Sequence, residues 1–143
     1  MNDDLKREII LDNYQEPYHR GLIDDDSYCK VNSSSESCID NLDFIMKVED
    51  NIIKDVRFDG EACAISTSAS SILIKNIIGK SIDEAKEILV NYQNMISEKD
   101  YNKDLLGELN VYDQIGKQPN RKNCALLPKV AVEKLLGELE NDR

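Results

Sequence analysis

The feature that most constrains the fold is a change of hydrophobic period near residue 60. Before this point, apolar side chains alternate with mostly polar ones at Leu42, Phe44, Met46 and Val48. A period of two is typical of a strand with one buried face. The turn-like Glu49-Asp50-Asn51 precedes the β-branched and aromatic residues of 52–58, which predicts an antiparallel hairpin.

After the hairpin the spacing of apolar residues becomes helical. Residues 63–78 are predicted to form a helix that Gly79 closes. Ser81 and Glu84 have the spacing of a capping box, and a second helix is predicted to follow them. Its apolar stripe consists of Ile82, Ala85, Ile88, Leu89 and Tyr92.

The two ends of the chain are also predicted to be helical. Near the N-terminus, one helical face carries Leu5, Ile9, Ile10 and Tyr14. Near the C-terminus, Pro128 suits the first turn of a last helix. Residues 23–31 are a candidate strand, 32–37 a polar loop, and 97–120 a polar segment with a short apolar patch at 105–111. The predicted class is α+β, a small antiparallel three-stranded sheet with helices packed on it.

Length and charge limit the classes of function. With 143 residues, no repeats and no clear internal boundary, residues 1–143 are expected to form a single domain. The net charge of −10 argues against a nucleic-acid surface and against binding to an anionic membrane. No apolar run approaches the roughly 18 residues of a membrane span. The N-terminus lacks the apolar core of a signal peptide, so a cytoplasmic location is expected.

In a reducing compartment, four cysteines indicate metal binding or reactivity rather than a disulfide framework. Cys38 follows the polar loop with Asp40 two residues on, Cys63 is predicted to begin a helix, and Cys124 to stand just before another. A helix N-terminus stabilises a thiolate. Three thiolates and one carboxylate make a reasonable tetrahedral zinc set, and could also hold an iron–sulfur cluster. The spacing matches no short zinc signature, so small buried cysteines are the alternative.

Four segments carry a more specific pattern. They are DNYQEPYHRG (12–21), SCID (37–40), FDGEACAISTSASS (58–71) and RKNCALL (121–127). In this order and spacing they resemble the IscU/NifU N-terminal family of iron–sulfur cluster assembly proteins, from about Asp12 to Leu139. Asn123 stands where IscU proteins have a histidine, and the polar residues around 98–109 look like an insertion of the SufU branch. The resemblance therefore favours SufU.

The resemblance implies a zinc site made by Cys38, Asp40, Cys63 and Cys124. It also implies a SufS-type cysteine desulfurase as partner, with downstream iron–sulfur assembly proteins after it. Cys124 matches the acceptor of the persulfide sulfur, which becomes available when the desulfurase supplies a replacement zinc ligand. Arg121 matches an arginine near the family's site and could position charge there, or could form a surface salt bridge.

Two other functions stay open. The chain could be a non-enzymatic scaffold that builds a transient [2Fe–2S] cluster on Cys38, Cys63 and Cys124. It could also be a degenerate binding partner of the desulfurase, with zinc structural or absent. Acceptance of persulfide sulfur, by contrast, would make the chain a sulfurtransferase-like acceptor.

Departures from the family pattern concern mainly the first ligand loop. Ile39 replaces the glycine after the first cysteine, and Ala62 replaces the glycine before Cys63. Since glycine permits backbone conformations that a β-branched residue resists, a differently shaped loop is expected. Cys29 has no family counterpart and is interpreted as a strand residue, with replacement or support of Cys38 as the alternative. His19 is interpreted as a surface or packing residue.

Overall fold

Helices and strands follow one another along residues 1–34 and 39–141, the part of the chain that the computed structural model describes. The strands are β1 (Cys29–Ser34), β2 (Asn41–Glu49) and β3 (Ile52–Glu61). The helices are α1 (Asp3–Gln15), α2 (Ala64–Ile77), α3 (Ile82–Ile96) and α4 (Pro119–Asn141). Three short 3-10 helices lie between α3 and α4, at Lys103–Leu105, Gly107–Tyr112 and Ile115–Lys117.

The three strands form an antiparallel sheet in the order β1-β2-β3. Asp50 and Asn51 connect β2 to β3 with φ values of 52° and 66°. Two central residues with positive φ give a turn whose twist matches that of a hairpin. The predicted hairpin and the predicted α+β class with a small antiparallel three-stranded sheet are confirmed.

The core lies between one face of the sheet and the helices. Six side chains of β2 and β3 that reach it are fully buried: Leu42, Phe44, Met46, Ile53, Val56 and Phe58. Helix α4 packs against β1 and β2, while α2 contacts β3. Helix α1 packs on α2, and α3 packs on α4. The start of β2 pairs with the end of β3, and Cys63 connects this end of the sheet to α2.

Local signals for the two central helices are confirmed. Cys63 is the N-cap of α2, and Gly79, with φ 86°, follows its last turn. Ser81 and Glu84 form the reciprocal capping box of α3. The apolar patch of the 97–120 segment is also present, since Leu106 and Leu109 are buried.

The predicted limits of the first strand are wrong. Strand β1 covers Cys29–Ser34, so Asn32 to Ser34 continue the strand instead of opening a loop. The reason is tertiary: the Ser33 side chain is buried, and its hydroxyl donates to the Leu127 carbonyl at 3.2 Å. Residues 35–37 of the predicted loop lie outside the described residues.

The predicted start of the last helix is wrong as well. Helix α4 begins at Pro119, which is therefore its first-turn proline, while Pro128 lies inside the helix. Cys124 consequently stands in the second turn of α4 and not before it. The predicted apolar face of α1 is only half correct, because Ile9 and Ile10 pack on the core whereas Leu5 and Tyr14 are exposed. Within the described ranges, no helix combines the length and apolar character needed to cross a bilayer.

Candidate metal centre

Asp40, Cys63 and Cys124 meet at one end of the sheet. One carboxylate oxygen and the two sulfur atoms all lie within 4.8 Å of one another. Asp40 directly precedes β2, Cys63 connects β3 to α2, and Cys124 belongs to α4. Asp40 and Cys124 are buried, and Cys63 is half-buried. Three elements that are distant in sequence therefore bring three possible metal ligands together.

Cys63 owes its position to the end of β3 and the start of α2. As N-cap it has extended backbone angles, φ −68° and ψ 171°, and its Sγ accepts from the Ser66 backbone N–H at 3.4 Å. The N-terminal N–H groups of a helix have no partner within the helix. A thiolate at this position meets a backbone donor and the positive end of the helix dipole.

The carboxylate of Asp40 is fixed by a donor on each oxygen. Its Oδ1 accepts from the Cys63 backbone N–H at 2.6 Å, and its Oδ2 accepts from the Ser66 hydroxyl at 2.6 Å. Its Oδ2 also lies 3.7 Å from the Cys63 Sγ. For tetrahedral zinc, bond lengths of about 2.3 Å to sulfur and 2.0 Å to oxygen put two such ligands about 3.5 Å apart. The donor set and this separation both fit zinc.

The position of Cys124 is fixed by one contact of its sulfur and by hydrogen bonds to backbone carbonyls of the same turn of α4. Its Sγ lies 3.8 Å from the Asn120 carbonyl oxygen. Its own carbonyl faces the Ser66 hydroxyl at 2.9 Å, and the next carbonyl, of Ala125, accepts from the Tyr92 hydroxyl at 2.7 Å. Burial raises the pKa of Tyr92 well above its usual value, so this hydroxyl stays a donor.

Comparison with known proteins identifies the family. The family model described as "NifU-like N terminal domain" matches residues 5–132. The chain belongs to this family. The SufU protein of Bacillus subtilis (strain 168), named a zinc-dependent sulfurtransferase, is 32% identical over 139 residues, covering 96% of this chain and 93% of the relative. The IscU scaffold protein of Thermotoga maritima is 26% identical over 132 residues, covering 92% of both.

Solved structures of related proteins share the fold. The crystal structure of FiSufU from Fervidobacterium islandicum AW-1 matches with a TM-score of 0.80 and 28% identity, over 90% of this chain and 94% of that one. A NifU-like N-terminal protein from Brucella abortus matches with a TM-score of 0.83 and 22% identity, over 99% and 98% of the two chains. The predicted resemblance to the IscU/SufU type is thereby confirmed.

The family pattern also singles out Cys38 and Arg121. Cys38, the predicted fourth ligand, lies outside the described residues, and its role stays a prediction. Arg121 lies one turn before Cys124 on α4, is exposed, and forms no ion pair with the described part of the chain. Its predicted role in positioning charge is untested by this arrangement.

Cys29 and His19 lie outside the group of three. The Cys29 Sγ, at the start of β1, donates to the Glu138 carboxylate at 2.9 Å. The His19 Nδ1 is 2.9 Å from Asp55 and 3.1 Å from the Val56 carbonyl oxygen. Among the described residues, neither side chain joins Asp40, Cys63 and Cys124.

Ser66 is the residue of this site that the sequence patterns did not single out. Its side chain is completely buried and contacts both Asp40 and Cys124. The available signal was its place three residues after a cysteine that begins a helix, where its N–H reaches the N-cap side chain. No local pattern predicts that its hydroxyl also meets a carboxylate and a carbonyl from other elements.

Proposed function

We propose that this protein accepts persulfide sulfur from a SufS-type cysteine desulfurase and delivers it to iron–sulfur cluster assembly. Zinc is held by Asp40, Cys63 and Cys124, with Cys38 as the fourth ligand. The observation that carries the proposal is the meeting of two cysteine sulfurs and one carboxylate within 4.8 Å. The Bacillus subtilis relative supports it, because that protein is named a zinc-dependent sulfurtransferase.

The chemistry required of Cys124 is thiol–disulfide exchange. Its thiolate attacks the outer sulfur of the desulfurase persulfide, so a new S–S bond forms on Cys124. The S–S bond of the desulfurase breaks, and the electron pair leaves with the desulfurase cysteine as a thiolate. Bound zinc supplies a way to keep thiolates deprotonated at neutral pH without redox chemistry.

The burial of Cys124 adds a requirement. Only 3% of this residue is exposed, so its sulfur is shielded from a partner's persulfide in the structure described. Sulfur transfer therefore needs a local movement that exposes Cys124 when the desulfurase is bound. Reduced thiols are also needed, which agrees with a cytoplasmic location and with delivery to downstream assembly proteins there.

Sulfur transfer is tested by incubating the protein with cysteine and the desulfurase, followed by mass spectrometry of the intact chain without reductant. Wild type should gain the mass of one sulfur atom, while Cys124→Ser should not. Cys29→Ser is the matched control, because that cysteine lies outside the group, and it should still gain sulfur. Sulfur retained by Cys124→Ser would show that another residue is the acceptor.

A cluster scaffold is the second candidate, because the Thermotoga maritima relative is named an IscU scaffold protein. The same cysteines could ligate the irons of a [2Fe–2S] cluster. Anaerobic reconstitution with iron and sulfide separates the two functions. A stable visible absorption band from a stoichiometric cluster, lost in Cys63→Ser, would favour the scaffold.

A third function, binding of the desulfurase alone, has its own test. If Cys124→Ser stimulates the desulfurase as strongly as wild type does, the sulfur-acceptor role of Cys124 is wrong. Loss of stimulation with retained binding would support sulfur acceptance.

A further inference from the structure

The Ser66 hydroxyl lies at the centre of the group of three. Its Oγ is 2.6 Å from the Asp40 Oδ2, 2.9 Å from the Cys124 carbonyl oxygen and 3.6 Å from the Cys63 Sγ. The residue is 0% exposed, so these contacts are screened from water. One side chain of α2 thus contacts a polar atom of each of the three possible ligand residues.

The contact with the Cys124 carbonyl follows from the proline inside α4. In a regular helix the carbonyl of residue 124 accepts from the N–H of residue 128, four positions later. Residue 128 is proline, which has no N–H. The Ser66 hydroxyl supplies a donor at this carbonyl, 2.9 Å away. Because Pro128 cannot donate, the Cys124 carbonyl of α4 is available to the Ser66 hydroxyl of α2.

The hydroxyl serves two acceptors with a single hydrogen. A serine hydroxyl has one O–H donor, whereas the Cys124 carbonyl and an aspartate in the ionised form that binds metal both only accept. With separations of 2.6 Å and 2.9 Å, the hydrogen is shared between them or alternates. The orientation of the Asp40 carboxylate is therefore coupled to the position of the α4 turn that bears Cys124.

We propose that Ser66 is a positioning residue of the metal site. Its hydroxyl orients Asp40 as a ligand and connects this carboxylate to the Cys124 carbonyl, which has no N–H donor at Pro128. The proposal rests on the proposed function only in taking Asp40, Cys63 and Cys124 as metal ligands. Hydrogen-bond partners of metal ligands fix their orientation, and their loss typically weakens metal binding about 10–100-fold.

The first test compares Ser66→Ala with Ser70→Ala by competition for zinc against a chromogenic chelator. Ser70 is the matched control, because it is equally buried one turn later on α2 and its hydroxyl binds only the Ser66 backbone carbonyl among the described residues. Zinc affinity should fall about 10–100-fold in Ser66→Ala and stay unchanged in Ser70→Ala. Equal affinities in the two variants would overturn the proposal.

The second test separates positioning from a general loss of structure. The absorption spectrum of bound Co²⁺ reports its ligands, and in Ser66→Ala it should shift towards that of Asp40→Ala. In the Asp40→Ala background, Ser66→Ala should weaken metal binding much less than in wild type, because the carboxylate that Ser66 orients is absent. An equal effect in both backgrounds would contradict the role assigned to Ser66.

Two further controls address a variant that does not fold and a wild type that does not bind metal. If Ser66→Ala does not fold, Ser66→Thr and Ser66→Val provide a pair of equal shape that differs in the hydroxyl, and Ser66→Thr should bind zinc more tightly. Equal binding by this pair would overturn the proposal. If wild type binds neither zinc nor Co²⁺, the metal site of the proposed function fails first, and the role of Ser66 fails with it.

Discussion

At the scale of single residues, the placement of Asp40 depends on a close approach between two strands. Gly60, near the end of β3, has φ 134°, a conformation that side chains rarely adopt. A Cβ at this position would overlap the carbonyl oxygen of Asn41, the residue that precedes Leu42, the partner of Gly60 on β2. Because Asn41 follows Asp40 directly, the glycine preserves both the strand pairing and the position of the carboxylate.

Gly60→Ala is therefore expected to disturb both stability and metal binding. The free energy of unfolding should fall by more than about 1 kcal/mol, because alanine is strained at this φ and its Cβ displaces Asn41. Zinc affinity should fall with it. Gly137→Ala is the control: it lies in α4 with open space around its Cα, and alanine should stabilise that helix by about 0.5–1 kcal/mol. Denaturant unfolding and zinc competition measure the two effects. Unchanged zinc affinity in Gly60→Ala would contradict this account of Asp40.

At the scale of elements, α4 is held to the rest of the fold through its backbone carbonyls near Pro128. Hydroxyl groups from three neighbouring elements lie within hydrogen-bond distance of carbonyl oxygens in this part of α4. Ser33 of β1 contacts the Leu127 carbonyl, Ser66 of α2 the Cys124 carbonyl, and Tyr92 of α3 the Ala125 carbonyl. A proline inside a helix removes one backbone hydrogen bond and crowds the preceding turn. The neighbouring hydroxyls let α4 continue through Pro128 and fix the turn that carries Cys124.

A double-mutant cycle between Ser66 and Pro128 tests this link in the metal-free protein. Ser66→Ala should lower the free energy of unfolding by about 1–3 kcal/mol, the cost of removing the donor from a buried acceptor. In the Pro128→Ala background the loss should be smaller, because the restored N–H of residue 128 can donate to the Cys124 carbonyl. Denaturant unfolding of the four proteins gives the coupling energy. Identical losses in the two backgrounds would show that the carbonyl contact contributes nothing.

The capping box of α3 should contribute to stability without affecting the metal site. Ser81→Ala removes the hydroxyl that accepts from the Glu84 N–H, and should lower the free energy of unfolding by about 1 kcal/mol. Zinc affinity should not change, since α3 contributes no residue to the group of three. Thermal unfolding and zinc competition provide the two readouts, and a large loss of zinc affinity would mean that global stability limits metal binding.

At the scale of the whole molecule, the segment after α1 is attached to the sheet around Asp55. Its carboxylate accepts from the Tyr28 hydroxyl at 2.6 Å and from the Arg57 Nε at 2.9 Å, and faces the His19 Nδ1 at 2.9 Å. Burial opposes the charged form, but the hydrogen bonds from Tyr28 and Arg57 lower the pKa of Asp55 below its usual value. The ionised carboxylate therefore stabilises the folded protein.

This lowered pKa predicts a pH dependence. Stabilisation by Asp55 is fully present above the pKa of an unfolded aspartate, about 3.9, and is lost as pH falls through the lower folded pKa. Asp55→Asn should therefore cost stability at neutral pH, and its difference from wild type should shrink below about pH 4. Denaturant unfolding across this range measures the difference, with the exposed Asp59→Asn as a control for loss of charge. A difference that grows as pH falls would contradict the assigned sign.

Local patterns in the sequence were enough for the hairpin, for α2 with Cys63 at its start, and for the capping box of α3. Each depends on neighbours within a few residues. The start of α4 was not predictable in this way, because Asn120 to Asn123 are polar and Pro128 suits a first turn. The helix continues through Pro128 with support from Ser66, a contact between residues 58 positions apart that no local rule contains. Cys124 was therefore predicted to stand before the last helix, whereas it lies in the second turn of α4.

The central claim is that Asp40, Cys63 and Cys124, together with Cys38, form the zinc site. The most direct measurement is the metal content of protein purified without added metal, for wild type, Cys63→Ala, Cys38→Ala and Cys29→Ala. The account predicts about one zinc ion per chain in wild type and in Cys29→Ala, and loss of zinc in the other two variants. Zinc retained by Cys63→Ala, or lost from Cys29→Ala, would contradict this site.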